Sequence, residues 1–221
     1  MDEANDLAEF CVDADTRSAM ILLVSFLEDT LKKVYIEYWH LNSNRDVERY
    51  FGANGPLSTF AQRALVAKGQ NWITAKQVIE LDILRKIRNE LAHRHRVHSL
   101  TEEPLRGFAM SLEPREEIWC REEGSGYKSA FEAASEEVRI CLRVFCAGMF
   151  NVSSILTNSK LSRAQIPVGF RPDKGWESLL EVEQGLIDAA MRYCWRSLGM
   201  GYTGATYQYR RDRTGIRENG D

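Results

Sequence analysis

The sequence predicts an all-α fold, and three observations carry that reading. Apolar residues recur at helical spacing through four long stretches, about residues 15–38, 75–94, 129–157 and 176–198. Helix-capping pairs stand ahead of two apolar restarts, Thr59 with Gln62 and Thr74 with Gln77. No segment keeps the two-residue alternation of a half-buried strand, and no internal repeat is evident.

The first helix is expected from Asp15 to about Tyr38, where Leu22, Leu23, Phe26, Leu27, Leu31 and Val34 form the apolar stripe. Glu28, Asp29, Lys32 and Lys33 lie between them and suit a solvated face. "LNSNRD", Leu41 to Asp46, reads as a loop, because Asn and Ser side chains compete for backbone hydrogen bonds. "FGANGPLSTF", Phe51 to Phe60, is dense punctuation before a second helix, and Pro56 suits a first helical turn. Thr74 and Gln77 open the run from Ala75 to about Arg94. There Leu84, Ile87 and Leu91 make the apolar stripe, while Asp82, Arg85, Asn89 and His93 share a neighbouring face. A turn around Ser99 to Pro104 precedes a short helix from Leu105 to Leu112. Pro114, Gly124 and Gly126 mark a connection, and Ser129 to about Thr157 reads as one strong helix. Residues 158–176 read as a linker or ordered loop, and Trp176 to Leu198 as a last amphipathic helix. The terminal stretch from Gly199 is rich in Gly, Tyr and Arg and reads as a flexible tail.

The bulk properties narrow the function classes. A chain of 221 residues suits one packed domain with an appendage, and 44% hydrophobic with 28% charged residues is ordinary for a soluble globular protein. A net charge of −3 provides no global basic field for nucleic acid. Five cysteines, with no CxxC pair, fit reduced thiols in the cytoplasm better than a disulfide framework. The acidic start "MDEANDLAEF" is unlike a signal peptide. The longest apolar run, Ala19 to Leu27, is about half of a membrane span. A soluble cytoplasmic protein without membrane contact is the expectation.

One segment concentrates chemistry. "LRKIRNELAHRHRVH", Leu84 to His98, holds three of the four histidines among arginines. A metal site is not expected from it, because His93, His95 and His98 spread around a helix and no Cys or acidic partner stands at ligand spacing. No cofactor is expected either. Arg85, Lys86, Arg94 and Arg96 form a basic patch that can meet a phosphate or an acidic partner, or simply complement a helix end. Tyr202, Tyr207 and Tyr209 interleave with Arg210, Arg211, Arg213 and Arg217 in the tail. That mix can stack on single-stranded nucleic acid, although a solubilising terminus is the plainer reading. No helix-turn-helix supports direct DNA binding.

"TRSAMILLVSFLEDTLKKVY", "FGANGPLSTFAQRALVAKG" and "LDILRKIRNELAH" together resemble, in order and spacing, the mannitol repressor family. The later "HSLTEEPLRGF" and "SAFEAASEEVRICL" are compatible with it, so the likeness spans about Asp15 to Ile155. The resemblance implies a HEPN-like helical bundle and a bacterial regulator of sugar uptake, a repressor or co-regulator, acting through a protein partner as a helical dimer. It divides the chain into a helical domain at 1–157, a linker with a C-terminal helix at 158–198, and the tail at 199–221. Relatives commonly continue with L-A-Y-x-L-G-L-I where this chain reads "LVAKGQNWI".

"RNELAH", Arg88 to His93, also fits the R-x4-H pattern of catalytic HEPN proteins, which cleave RNA without metal. In that alternative His93 is the acid/base, Arg88 the phosphate clamp and Asn89 an orienting group. Positions five apart on a helix point roughly 140° from each other. A symmetric dimer would bring two copies together. The other reading is structural: Arg88 pairs with Glu28 or Asp29 on the first helix, and Asn89 and His93 hold a neighbouring helix or a dimer contact.

Overall fold

The computed structural model describes residues 2–93, 99–121, 126–163 and 177–200. Among them are α1 (Asp2–Asp13), α2 (Thr16–Tyr38), α3 (Asn44–Phe51), α4 (Phe60–Gly69), α5 (Ala75–His93), α6 (Leu105–Met110), a 3₁₀ turn (Arg115–Arg121), α7 (Tyr127–Ala133), α8 (Glu136–Arg163) and α9 (Glu177–Ser197). No strand occurs among the described residues, so the fold class is all-α. The residues from Gly201 onward, expected as a flexible tail, lie outside the described residues.

Helices α2 and α8 are the spine. The Thr16 hydroxyl meets Glu137 at 3.2 Å at one end, and Arg163 meets Glu37 at 3.0 Å at the other, so the two run parallel. α1 packs on α2, α9 on α8, and α9 on α1, which closes a four-helix ring. α5 lies across the opposite face of α2 and α8 and runs against them. Its end is marked by Arg17 donating to the Ala92 carbonyl at 3.3 Å, and its approach by Asn158 donating to the Trp72 carbonyl at 2.8 Å.

Local sequence explains the boundaries. Asp15 accepts from the Ser18 backbone N–H and starts α2. Both capping boxes form: Gln62 and Thr59 bond reciprocally, as do Gln77 and Thr74 at 2.9 and 3.2 Å. α4 stops because Asn71 takes a left-handed φ of 60°, and Trp72 N–H returns to the Ala67 carbonyl at 2.9 Å. The "GQNW" stretch is therefore a helix stop. It delivers the fully buried Trp72 ring between Tyr35 and Tyr38, at centroid distances of 4.8 and 4.9 Å.

Three expectations change. The "LNSNRD" loop is shorter than read, because Ser43 accepts from Asp46 N–H and caps α3; the same side chains that oppose helix interiors open this one. The helix expected from Ser129 to Thr157 is two helices, since Ala134 is extended (ψ 152°) and Ser135 starts α8 by accepting from Val138 N–H. α8 then continues to Arg163, through residues read as linker. Among the described residues α8 is also the one helix long and apolar enough to cross a membrane. Its 18-residue window has a mean hydropathy of 1.6, and 67% of that window is buried within the bundle, which is what a central core helix requires.

Candidate functional site

The apolar stripe of α5 sets the orientation of the R-x4-H segment. Leu84, Ile87 and Leu91 are fully buried against the spine, and this turns Arg85, Arg88 and Asn89 to a half-buried shoulder and His93 to an exposed end. Arg88 crosses to α2, where its Nη2 meets Glu28 Oε1 at 2.6 Å. Of the two acidic candidates on α2, Glu28 is the partner. Arg85 bonds Asp82 through Nε and Nη2 at 3.1 and 2.6 Å, and Lys86 reaches the other Asp82 oxygen at 2.8 Å. Hydrogen bonds from Lys86 and Arg85 hold the Asp82 carboxyl below its ordinary value. The Lys86 ammonium also stands 5.9 Å from the centre of the Phe108 ring on α6.

The motif residues thus share one helix end without forming one chemical unit. No side-chain hydrogen bond joins Arg88, Asn89 and His93 to each other among the described residues. Arg88 is tied to Glu28, and only His93 faces solvent freely. Arg94, Arg96, His95 and His98 lie outside the described residues. Among the described residues no three His, Cys, Asp or Glu side chains converge on a metal position.

A second polar cluster was not read from the sequence. Glu80 of α5 is 3% exposed, and both its oxygens accept from Arg115 Nη2 at 3.0 Å. The same carboxylate accepts from Asn151 of α8 at 3.1 Å. Arg115 lies over the Phe150 ring, 4.0 Å from its centre, and also bonds Glu113. Beside it, Glu116 is 1% exposed and accepts from Arg143 Nε at 2.8 Å, while Arg143 Nη2 reaches Glu117. Burial pushes the Glu116 carboxyl up in spite of Arg143. These charges stand against the 3₁₀ turn, where α5 and α8 meet it. Arg115 and Glu117 also line an open depression of about 640 Å³ with Glu113, Cys120, Lys128 and Phe131.

Chemically this cluster is a tie. Glu113 bonds Lys76 and Arg115, Glu117 bonds Arg143, and Lys128 faces Glu132 at 3.9 Å, so each wall charge has a counter-charge. Burial, with Glu117 and Glu132 nearby, pushes the Cys120 thiol up, which disfavours a thiolate nucleophile. The only sequence signal was a run of acidic and basic residues around Pro114. The partners of Arg115 and Glu116 across the fold, Glu80 and Arg143, are 35 and 27 positions away in the chain, beyond the reach of any local pattern.

Comparison with protein-family models, with curated proteins and with solved structures finds no match for this chain.

Proposed function

We propose that this chain is a non-enzymatic regulatory protein of the mannitol-repressor type, a HEPN-like helical dimer that governs sugar uptake through protein contacts. The observation that carries the non-enzymatic reading is the Arg88–Glu28 pair. The one arginine of the R-x4-H pattern is spent as a tie between α5 and α2, at 2.6 Å and with both side chains more than two-thirds buried. The three sequence segments that resemble the mannitol repressor family supply the rest of the reading. The exposed end of α5, with His93 and Lys86, is the surface it assigns to partner or dimer contact.

The test is deletion of the gene in its source cell, with sugar-uptake transcripts measured alongside the solution mass of the purified chain. Derepressed transcripts and twice the chain mass are the expected results. Unchanged transcripts together with a monomer would overturn the proposal.

A second reading keeps one observation in its favour: His93 is exposed, and Asn89 stands one turn before it. In that reading the chain is a metal-independent RNA endonuclease, with His93 as acid/base and Arg88 released from Glu28 to clamp a phosphate. RNA cleavage in EDTA by the wild type but not by His93→Ala would favour it; equal behaviour of the two proteins would discard it.

A further inference from the structure

All five cysteines are free thiols, and two of them face each other. Cys146 of α8 and Cys194 of α9 place their sulfurs 3.4 Å apart, 48 positions apart in the chain. The other three thiols have different surroundings. Cys11 donates to the Ala19 carbonyl, Cys141 contacts the Thr16 hydroxyl, and Cys120 is half-buried at the open depression. Ring contacts bracket the facing pair: Phe145 stacks on Tyr193 at 3.9 Å, and Tyr127 meets Trp195 at 4.6 Å in a tilted arrangement. Phe145 and Tyr193 each stand one position before a sulfur, so their contact sets α8 against α9 at the pair, while Tyr127 closes over it from α7. A disulfide needs a separation of about 2.05 Å, so the sulfurs must close by a little over an ångström.

We propose that Cys146 and Cys194 are an oxidative modification site, at which a hydroperoxide joins the two thiols into a disulfide that fastens α9 to α8. The proposal stands independently of the regulatory reading. Cys194 is fully buried and Cys146 is 4% exposed, so the peroxide reaches them when α9 lifts locally. Burial holds the Cys146 thiol well above its ordinary value, which keeps the pair inert while the helices are closed.

In the open state one thiol gives its proton to solvent, and its sulfur attacks a peroxide oxygen. The O–O bond breaks, and the leaving oxyanion takes up a proton as an alcohol or water. The sulfenic acid so formed is attacked by the second sulfur. The S–S bond forms, the S–O bond breaks, and hydroxide departs as water with the second thiol's proton. Two thiols and one hydroperoxide give one disulfide, one alcohol (water, from hydrogen peroxide itself) and one water, with two electrons passing from sulfur to the peroxide.

The test exposes the reduced full chain to hydrogen peroxide and quenches it with iodoacetamide. The expected results are an intact mass lower by two hydrogens and a non-reducing peptide map that joins the Cys146 and Cys194 peptides. The melting temperature should rise by roughly 5–10 °C and return on reduction. Because opening precedes reaction, the rate should level off as peroxide increases. Cys194→Ala, or Cys146→Ala should the first variant not fold, is expected to lose both the mass change and the thermal gain. The proposal is overturned if oxygen adds at Cys120 while Cys146 and Cys194 remain alkylatable after unfolding. A disulfide between any other cysteines, or consumption of Cys120 with no link formed, overturns it equally.

Discussion

Glu116 keeps 1% of its surface exposed and bonds Arg143 through only one of its two carboxylate oxygens. Removing that oxygen pair from water costs more than the single guanidinium contact returns, which is why its carboxyl is pushed up from 4.5. A raised carboxyl means that the folded chain binds the proton more tightly than the unfolded one. Stability linked to Glu116 is therefore fully present below about pH 4.5 and is lost as pH rises through the folded value. Asp82 and Glu113 work in the opposite sense, because their partners hold them low, and their contribution is lost on acidification. Comparison with Glu116→Gln separates the two effects. The stability of the wild type minus that of the variant should grow as pH falls from 7 to about 4.5, measured by urea unfolding at each pH. A difference that stays flat, or shrinks, would show that Arg143 outweighs burial.

At the scale of elements, much of the chain was legible because its signals are local. Each capping box is four consecutive residues, and Leu84, Ile87 and Leu91 needed only the helical period. α1 escaped because its buried positions are small: Ala4, Ala8 and Cys11 do not register as an apolar stripe, yet they let α2 and α9 approach closely. The division of α7 from α8 escaped because neither Ala134 nor Ser135 breaks a helix by composition alone. The sequence narrows Arg88 to Glu28 or Asp29, but the pairings of Arg115 with Glu80 and of Arg143 with Glu116 are fixed only by how the elements cross, so no window along the chain shows them.

Gly148 is such a crossing. A Cβ there would come within 2.9–3.0 Å of Cγ and both Cδ atoms of Leu23, so α8 passes α2 where only a hydrogen fits. Gly148→Ala gains about 1 kcal/mol of helix propensity and loses roughly 1–3 kcal/mol to overpacking, a net destabilisation of about 1 kcal/mol. In a Leu23→Ala background the clash is gone, and the same substitution should stabilise by about 1 kcal/mol. Denaturant unfolding of the four proteins checks the change of sign; no coupling between the two sites would contradict the close approach.

For the molecule as a whole, the question is whether α9 is an appendage or a wall. The sequence resemblance ends near Ile155, and the reading from it set the domain boundary at 157. Yet Leu186, Ala189, Tyr193 and Cys194 belong to the same buried core as Leu23, Phe145 and Met149. Glu9 of α1 receives both Arg192 and Arg196 of α9, which ties the first and last of the described helices together. A chain cut after Arg163 would expose Phe145 and Cys146 on α8, and the face of α1 that packs on α9. Fully burying one large apolar side chain contributes roughly 1.5–3 kcal/mol, and a domain's whole margin is roughly 5–15 kcal/mol. The loss of this wall is comparable with that margin. The truncated chain should keep its far-UV helical signal in part, lose the near-UV signal of its packed rings, and bind a hydrophobic dye. A truncated chain that unfolds cooperatively within a few degrees of the full one would show that residues 1–163 close their own core and that α9 is carried on the outside.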